Sequence, residues 1–348
     1  MSDLYLQHFG LRQAPFSITP NPAFFYGGHE RGDMLAALRY AVMHGEGIVK
    51  VTGEVGSGKT MLCRMLESQL PPHIDAIYLV NPSLGPDDVL YAIAAELGLD
   101  ARGWRPDEVL RQLNGELIAR HAAGRQVVLL VEEAQAMPLA TLEAVRLLTN
   151  LETAQYKLLQ IVLFGQPELD EHLALPRMRQ LAERITHSFF VPPLPPKLIP
   201  AFLQFRLRAA GYTGGPLFSP AAVRLIARTS GGIVRRINIL ADKALMAAYA
   251  EDAVAVTARH ARQAVAETPF RPLPRRHGWL AVAAGAAGLL ALAVWAATQL
   301  PDMLTRQQQP GKAAPPAAAL PRTQLKFDRI YTMILANPAK QPLSASHE

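Results

Sequence analysis

The run Gly53-Glu54-Val55-Gly56-Ser57-Gly58-Lys59-Thr60 has the spacing G-x-x-x-x-G-K-[ST] and follows the apolar run Ile48-Val49-Lys50-Val51. Those residue types in that order suit the holding of phosphate. The glycines let the backbone curl until its N–H groups converge on one point. Lys59 can reach β- and γ-phosphates, and the Thr60 hydroxyl can ligate Mg²⁺. A helix opening near Lys59, with Met61 in its first turn, would turn its positive end toward the same anion.

A second constellation is acidic. Val127-Val128-Leu129-Leu130-Val131 runs directly into Glu132-Glu133. A buried strand of this kind delivers two carboxylates to the edge of a sheet. The first would join the Mg²⁺ shell and the second would polarise an attacking water. Glu132 stands where aspartate is usual in such a strand. Its extra methylene moves the oxygens by about one C–C bond, and Mg²⁺ tolerates little geometric slack, so slow turnover is expected.

The elements that position these groups read as alternating strands and helices. Strands are expected at 48–51, 76–80, 126–131, 158–164 and 188–191. Helices are expected at 30–43, from Lys59 to about 70, and at 83–97, 106–121 and 139–151. The uninterrupted apolar runs at 126–131 and 158–164 indicate strands covered on both faces. Such alternation predicts a parallel sheet in an α/β sandwich. Pro192-Pro193-Leu194-Pro195-Pro196 then reads as a linker. Beyond it come helical stretches at 199–210, 219–229, 234–250 and 257–266, a small all-helical second domain. Ser219-Pro220 supplies an N-cap and a first-turn proline.

The chain of 348 residues has mean hydropathy +0.09, formal net charge +6 and a pI near 9.5. A basic balance suits nucleic acid, an anionic membrane or a nucleotide. The basic residues are scattered with no aromatic interleaving, so nucleic acid is not expected as a partner. Cys63 is the only cysteine, which excludes an intrachain disulfide. The first residues lack the pattern of a signal peptide. From Trp279 to Leu300 there is no charged residue. About 22 helical residues span roughly 33 Å, enough for a bilayer core. Arg271, Arg275 and Arg276 precede the stretch, which places the N-terminal bulk in the cytoplasm and the tail 301–348 outside.

With those residues in view, the chain resembles the AAA+ ATPases of the general secretion pathway protein A type. Relatives of that type serve pilus biogenesis and exopolysaccharide loci. The resemblance rests on His8-Phe9-Gly10-Leu11, Pro15-Phe16-Ser17-Ile18-Thr19-Pro20, the glycine loop, Glu133-Ala134-Gln135, Leu163-Phe164-Gly165-Gln166-Pro167-Glu168-Leu169 and Gly231-Gly232 with Arg235-Arg236-Ile237-Asn238. It covers roughly residues 4–267. It implies an AAA+ parallel-sheet P-loop core over 1–191 and a helical lid over 192–267. A basic connector (268–278), a single transmembrane helix (279–300) and a short periplasmic tail would follow.

The resemblance also implies roles. Gln166 would be the polar sensor beside the γ-phosphate, and Glu133 the catalytic carboxylate. Arg184 would reach a neighbouring subunit's phosphate as an arginine finger, with Arg177 and Arg179 as rivals. Arg235 would touch the phosphates from the lid, with Arg236 as its rival, because Val234 stands where the family has proline. ATP and Mg²⁺ are the implied cofactors. The implied partners are further copies of the chain and inner-membrane secretion, pilus or export components. The tail is too short for the peptidoglycan-binding domain of secretion members, though its segment 325–335 could dock a partner. The alternatives are a nucleotide-dependent scaffold without efficient hydrolysis, and a transposition-type switch on DNA.

Overall fold

The computed structural model describes residues 5–270, apart from 29, 45–46, 80 and 154–155. The chain divides by contact into Met1–Pro274 and Arg275–Glu348, and all described residues belong to the first unit. The expected membrane helix at 279–300, the tail and the connector from 271 onward lie outside the described residues. Among the described residues, no helix is long and apolar enough to cross a membrane.

Five strands form one sheet: β1 (Ile48–Gly53), β2 (Ile74–Leu79), β3 (Gln126–Val131), β4 (Leu159–Gly165) and β5 (Ile185–Val191). Their order is β2-β3-β4-β1-β5 and every pairing is parallel. Parallel neighbours need crossovers, and helices supply them on both faces. Successive side chains of a strand point to opposite faces, so each central strand feeds two cores. Val127, Leu129, Val131, Ile161 and Leu163 pack with α3 (Pro86–Glu96), α4 (Pro106–Ala122) and α5 (Leu139–Leu148). Val49, Val51, Val128, Leu130, Val162 and Phe164 pack with α1 (Glu30–His44) and α2 (Lys59–Ser68). Leu129 is fully buried, so Leu129→Ala would cost about 2–5 kcal/mol.

This register positions the site. Strand β4 lies between β3 and β1. Thr52 pairs with Gly165, and Val131 pairs with Leu163. The strands all end on one edge, so the glycine loop, Glu132-Glu133 and Gln166 emerge side by side. An open parallel sheet binds ligands at such an edge.

Two elements depart from expectation. Strand β5 begins at Ile185 rather than at 188; it is an edge strand whose side chains alternate between half-buried and exposed, so its apolar signal is weak. The helix expected from Ser83 begins at Pro86, with Asp87 and Asp88 in its first turn, where proline and negative charge are both favoured. Two short helices, α6 (Glu168–Leu173) and α7 (Arg179–Ala182), have too few residues to show a period.

Four further helices, α8 (Ile199–Ala209), α9 (Pro220–Ser230), α10 (Val234–Ala250) and α11 (Ala258–Ala266), share a separate apolar cluster. Tyr5, Phe9, Leu11, Phe16 and Phe24 join that cluster, so the first residues of the chain pack on the helical part. Ser219 caps α9 by accepting from the Ala222 N–H at 3.2 Å. Gly231 and Gly232 follow with φ of 60° and 80°. Two consecutive left-handed residues turn the chain sharply into α10. The proline run, expected to be a plain linker, is pinned at its centre. Leu194 is buried, and its N–H donates to the Gly232 carbonyl at 2.8 Å.

Candidate functional site: a phosphate loop facing an arginine-lined cavity

Gly56 and Gly58 have φ of 77° and 107°, values that disfavour any side chain. The curl they permit folds the Lys59 ammonium back into the loop. Its Nζ donates to the carbonyls of Gly53 at 2.8 Å and Glu54 at 3.1 Å. Two of three donors are thus used, and one remains to meet an anion. Burial pushes the Lys59 ammonium below its ordinary value, against the opposing pull of Glu133, Glu54, Glu168 and Glu132. Ser57 is fully buried and its Oγ has no hydrogen-bond partner.

At the neighbouring strand ends, Glu133 adopts a left-handed conformation with φ 52° and ψ 38°. Non-glycine residues there are strained and persist only where their surroundings demand it. Gln166 Nε2 donates to Glu133 Oε2 at 2.9 Å, and Gln135 Nε2 donates to the same oxygen at 2.6 Å. Gln135 Oε1 in turn accepts the Gln166 backbone N–H at 2.9 Å. Three residues therefore form a closed hydrogen-bonded ring. Burial raises the Glu133 carboxyl, but the two amide donors and the Lys59 charge outweigh it and hold the group below its ordinary value. Lys50 on β1 pairs with Asp170 on α6, which anchors the helix that follows Gln166.

A cavity of about 420 Å³ opens against the loop. Val55, Gly56, Gly58, Lys59, Thr60 and Met61 line one wall, with Glu133 beside them. The opposite wall comes from the N-terminal segment and the helical part: Ile18, Thr19, Pro20, Phe24, Phe25 and Tyr26, then Phe202, Arg206, Val234, Arg235 and Asn238. The two walls are joined by backbone, since the Arg235 N–H donates to the Gly56 carbonyl at 3.0 Å.

The expected residues fall into three groups. Val55, Gly56, Gly58, Lys59, Thr60, Met61, Glu133 and Arg235 line the cavity. Gly53, Glu54, Ser57, Glu132 and Gln166 stand behind or beside it, as loop backbone or at strand ends. Arg184 is remote. It lies where β1 begins, with its carbonyl accepting from the Ile48 N–H at 2.9 Å and its guanidinium donating to Thr149 Oγ1 at 2.5 Å. Of its rivals, Arg179 pairs with Glu183 at 2.9 Å and Arg177 is exposed. Arg236 turns away from the cavity and lies over the Phe270 ring at 5.4 Å.

Sequence reasoning missed Arg31, Arg206 and Asn238. Arg206 is 4% exposed and donates to the carbonyls of Pro15 at 2.6 Å and Ser17 at 3.0 Å. It also lies over the Phe24 ring at 4.5 Å, and burial pushes it down to about 10. Asn238 is 5% exposed and its Oδ1 lacks a partner. Asn238 alone carried a signal, because it sits one helical turn after Arg235 and shares its face.

The parallel order, the glycine loop and the acidic strand end define an AAA-type P-loop NTPase core, and a sequence profile described as an AAA domain matches residues 42–173. Over 251 residues the chain is 46% identical to the general secretion pathway protein A of Aeromonas hydrophila, covering 71% of this chain and 45% of that one. The chain is thus similar to the AAA+ ATPases of that secretion-pathway type, and it spans less than half of that relative's length. Among solved structures, the ADP form of the Aeropyrum pernix ORC2 protein is 16% identical with TM-score 0.57, over 73% of this chain and 72% of that one. The Cdc6p structure from Pyrobaculum aerophilum is 17% identical with TM-score 0.56, over 72% and 69%. At such identities these two establish the fold alone.

Proposed function

We propose that this chain is a membrane-anchored ATPase that uses ATP and Mg²⁺ to drive or license assembly of a bacterial envelope machine, such as a type II secretion, type IV pilus or polysaccharide-export complex. The observation that carries the nucleotide part is the make-up of the cavity. Arg31, Lys59, Arg206 and Arg235 line it against the single carboxylate Glu133. Four cations facing one anion complement a polyphosphate. The aromatic and aliphatic wall opposite the loop suits a nucleoside base.

The residues divide the work. The loop N–H groups and Lys59 bind the phosphates, and Arg235 approaches them from the helical lid. Thr60 and Glu132 would hold Mg²⁺. A hydroxyl and a carboxylate fit that ion, which leans on phosphate oxygens and its own waters rather than on a full protein cage. Among the described residues, no cluster of three His, Cys, Asp or Glu side chains offers such a cage. Bound Mg²⁺ supplies charge neutralisation at the phosphates. Glu133 accepts a hydrogen bond from the attacking water and orients it, and Gln166 holds the carboxylate in place. Arg184, far from its own cavity, would serve a neighbouring copy in a homo-oligomer.

The 46% identity to a secretion-pathway protein supports the envelope role, and the uncharged stretch 279–300 supports the anchor. Purified protein should hydrolyse ATP only with Mg²⁺, and Lys59→Ala should abolish turnover. Unchanged hydrolysis in that variant would reject the reading. Tight binding without turnover in the wild type would instead make the chain a nucleotide-dependent scaffold. Deleting 279–300 should move the protein out of the membrane fraction.

A further inference from the structure

Arg31 belongs to none of the motifs, yet it joins the phosphate loop to the segment that enters the helical part. It sits in the first turn of α1, 26 residues before Ser57 of the phosphate loop in sequence. Its Nη1 donates to the Ser57 carbonyl at 2.8 Å, inside the loop. Its Nη2 donates to the Pro192 carbonyl at 3.3 Å, where the chain leaves the sheet for the helical part. The guanidinium lies directly over the glycine of the GKT triplet: a Cβ on Gly58 would meet Nη1 at 2.9 Å. Arg31 also lines the cavity.

The charge of this group is unbalanced. Among the described residues Arg31 pairs with no carboxylate, and burial alone pushes it below its ordinary value. Neutral carbonyls take two of its five N–H donors. A half-buried cation that meets only neutral dipoles is costly unless an anion arrives. Arg206 also gives two donors to neutral carbonyls, those of Pro15 and Ser17, but its face is covered by the Phe24 ring and neither bond reaches the phosphate loop.

We propose that Arg31 is a phosphate-binding residue, gripping the polyphosphate of a bound nucleotide from the side opposite Lys59 while its Pro192 contact ties the loaded loop to the segment entering the helical part. This inference rests on the nucleotide reading and deepens it. The planar fork can hold two oxygens at once, which a lysine's point charge cannot. A charge-assisted contact of this kind is worth about tenfold or more in affinity.

The test measures ATP and ADP affinity by calorimetry and adenosine affinity by ligand-observed NMR. Arg31→Gln keeps a donor for Ser57 but removes the charge. It should lose about tenfold or more for ATP and ADP while adenosine stays within about twofold. Arg31→Lys keeps the charge without the fork, and should lose about threefold for ATP and ADP, less than Arg31→Gln, while adenosine is unchanged even if the melting temperature falls. A parallel loss for ATP and adenosine in either variant would make Arg31 a structural pin and overturn the proposal, as would unchanged ATP affinity in Arg31→Gln. If Arg31→Gln does not fold, Arg31→Lys decides by the same contrast. Failure of the wild type to bind ATP at all would instead defeat the nucleotide reading itself.

Discussion

Gln166 Nε2 lies 2.9 Å from Glu133 Oε2, and this contact ties the ends of two adjacent parallel strands across the edge where the phosphate loop opens. It joins the residue expected to sense phosphate to the one expected to activate water. Because Gln135 donates to the same oxygen, Glu133 is held in a strained left-handed conformation by two amides at once.

That clamp predicts a separation of binding from turnover. Glu133→Gln should reduce ATP hydrolysis by about 10²-fold or more while ATP affinity changes only a few-fold. Steady-state turnover beside equilibrium binding checks it, and a parallel fall in both would contradict the assigned role.

The same clamp sets a pH dependence. The Glu133 carboxyl is held below its ordinary value of 4.5. Its ionised form is therefore present above that pH and is lost only as pH falls through the depressed value. The acid limb of turnover should lie below 4.5 where the protein remains folded. Gln166→Ala removes one of the amide donors, so the limb should move to higher pH, as pH–rate profiles of the two proteins would record.

Gly232 predicts a backbone effect at a distance from the loop. A Cβ there would come within 2.3 Å of the Leu194 carbonyl oxygen, at a φ of 80°. Gly232→Ala should destabilise the protein by about 1–3 kcal/mol or more. It should also weaken ATP binding, because the turn it distorts delivers Arg235 to Gly56. Thermal melts and ATP titration check both effects; an unchanged melt would mean the turn is softer than its geometry implies.

Asp75 predicts the acid side of stability. The guanidinium of Arg125 holds its carboxyl low, against desolvation and with the help of Arg120, whose Nη1 donates at 2.9 Å. A depressed carboxylate contributes stability above its unfolded value, roughly 3.9, and that contribution disappears as pH falls through the folded value. Urea midpoints of wild type and Asp75→Asn should differ at pH 7 and converge between about pH 4 and 2.

Cys63 offers a probe of opening. It is fully buried on α2, and burial raises its thiol well above the ordinary range. Native protein should resist alkylation at neutral pH, and urea should expose the thiol with the global transition. Rapid labelling of native protein would mean that α2 detaches from the sheet on its own.

Much of this protein was legible in one dimension. The glycine loop, the apolar runs of β3 and β4 and the caps of α9 are local matters, set by backbone freedom and by burial on both faces. Such signals survive in a sequence because each depends on residues within one turn or one strand of each other. The edge strand β5 and the short α6 were blurred for the same reason, since a half-exposed strand and a six-residue helix leave little periodic imprint.

What tertiary structure decided was convergence. Arg31, Arg206 and Asn238 reach the cavity from three elements separated by up to about 200 residues, and no spacing rule connects them to Lys59. That Arg235 rather than Arg236 lines the cavity depends on the rotation of α10 about its axis, which the Gly231-Gly232 turn and the Gly56 carbonyl set together. Sequence periodicity names a face of a helix; only packing against the rest of the fold says what that face meets.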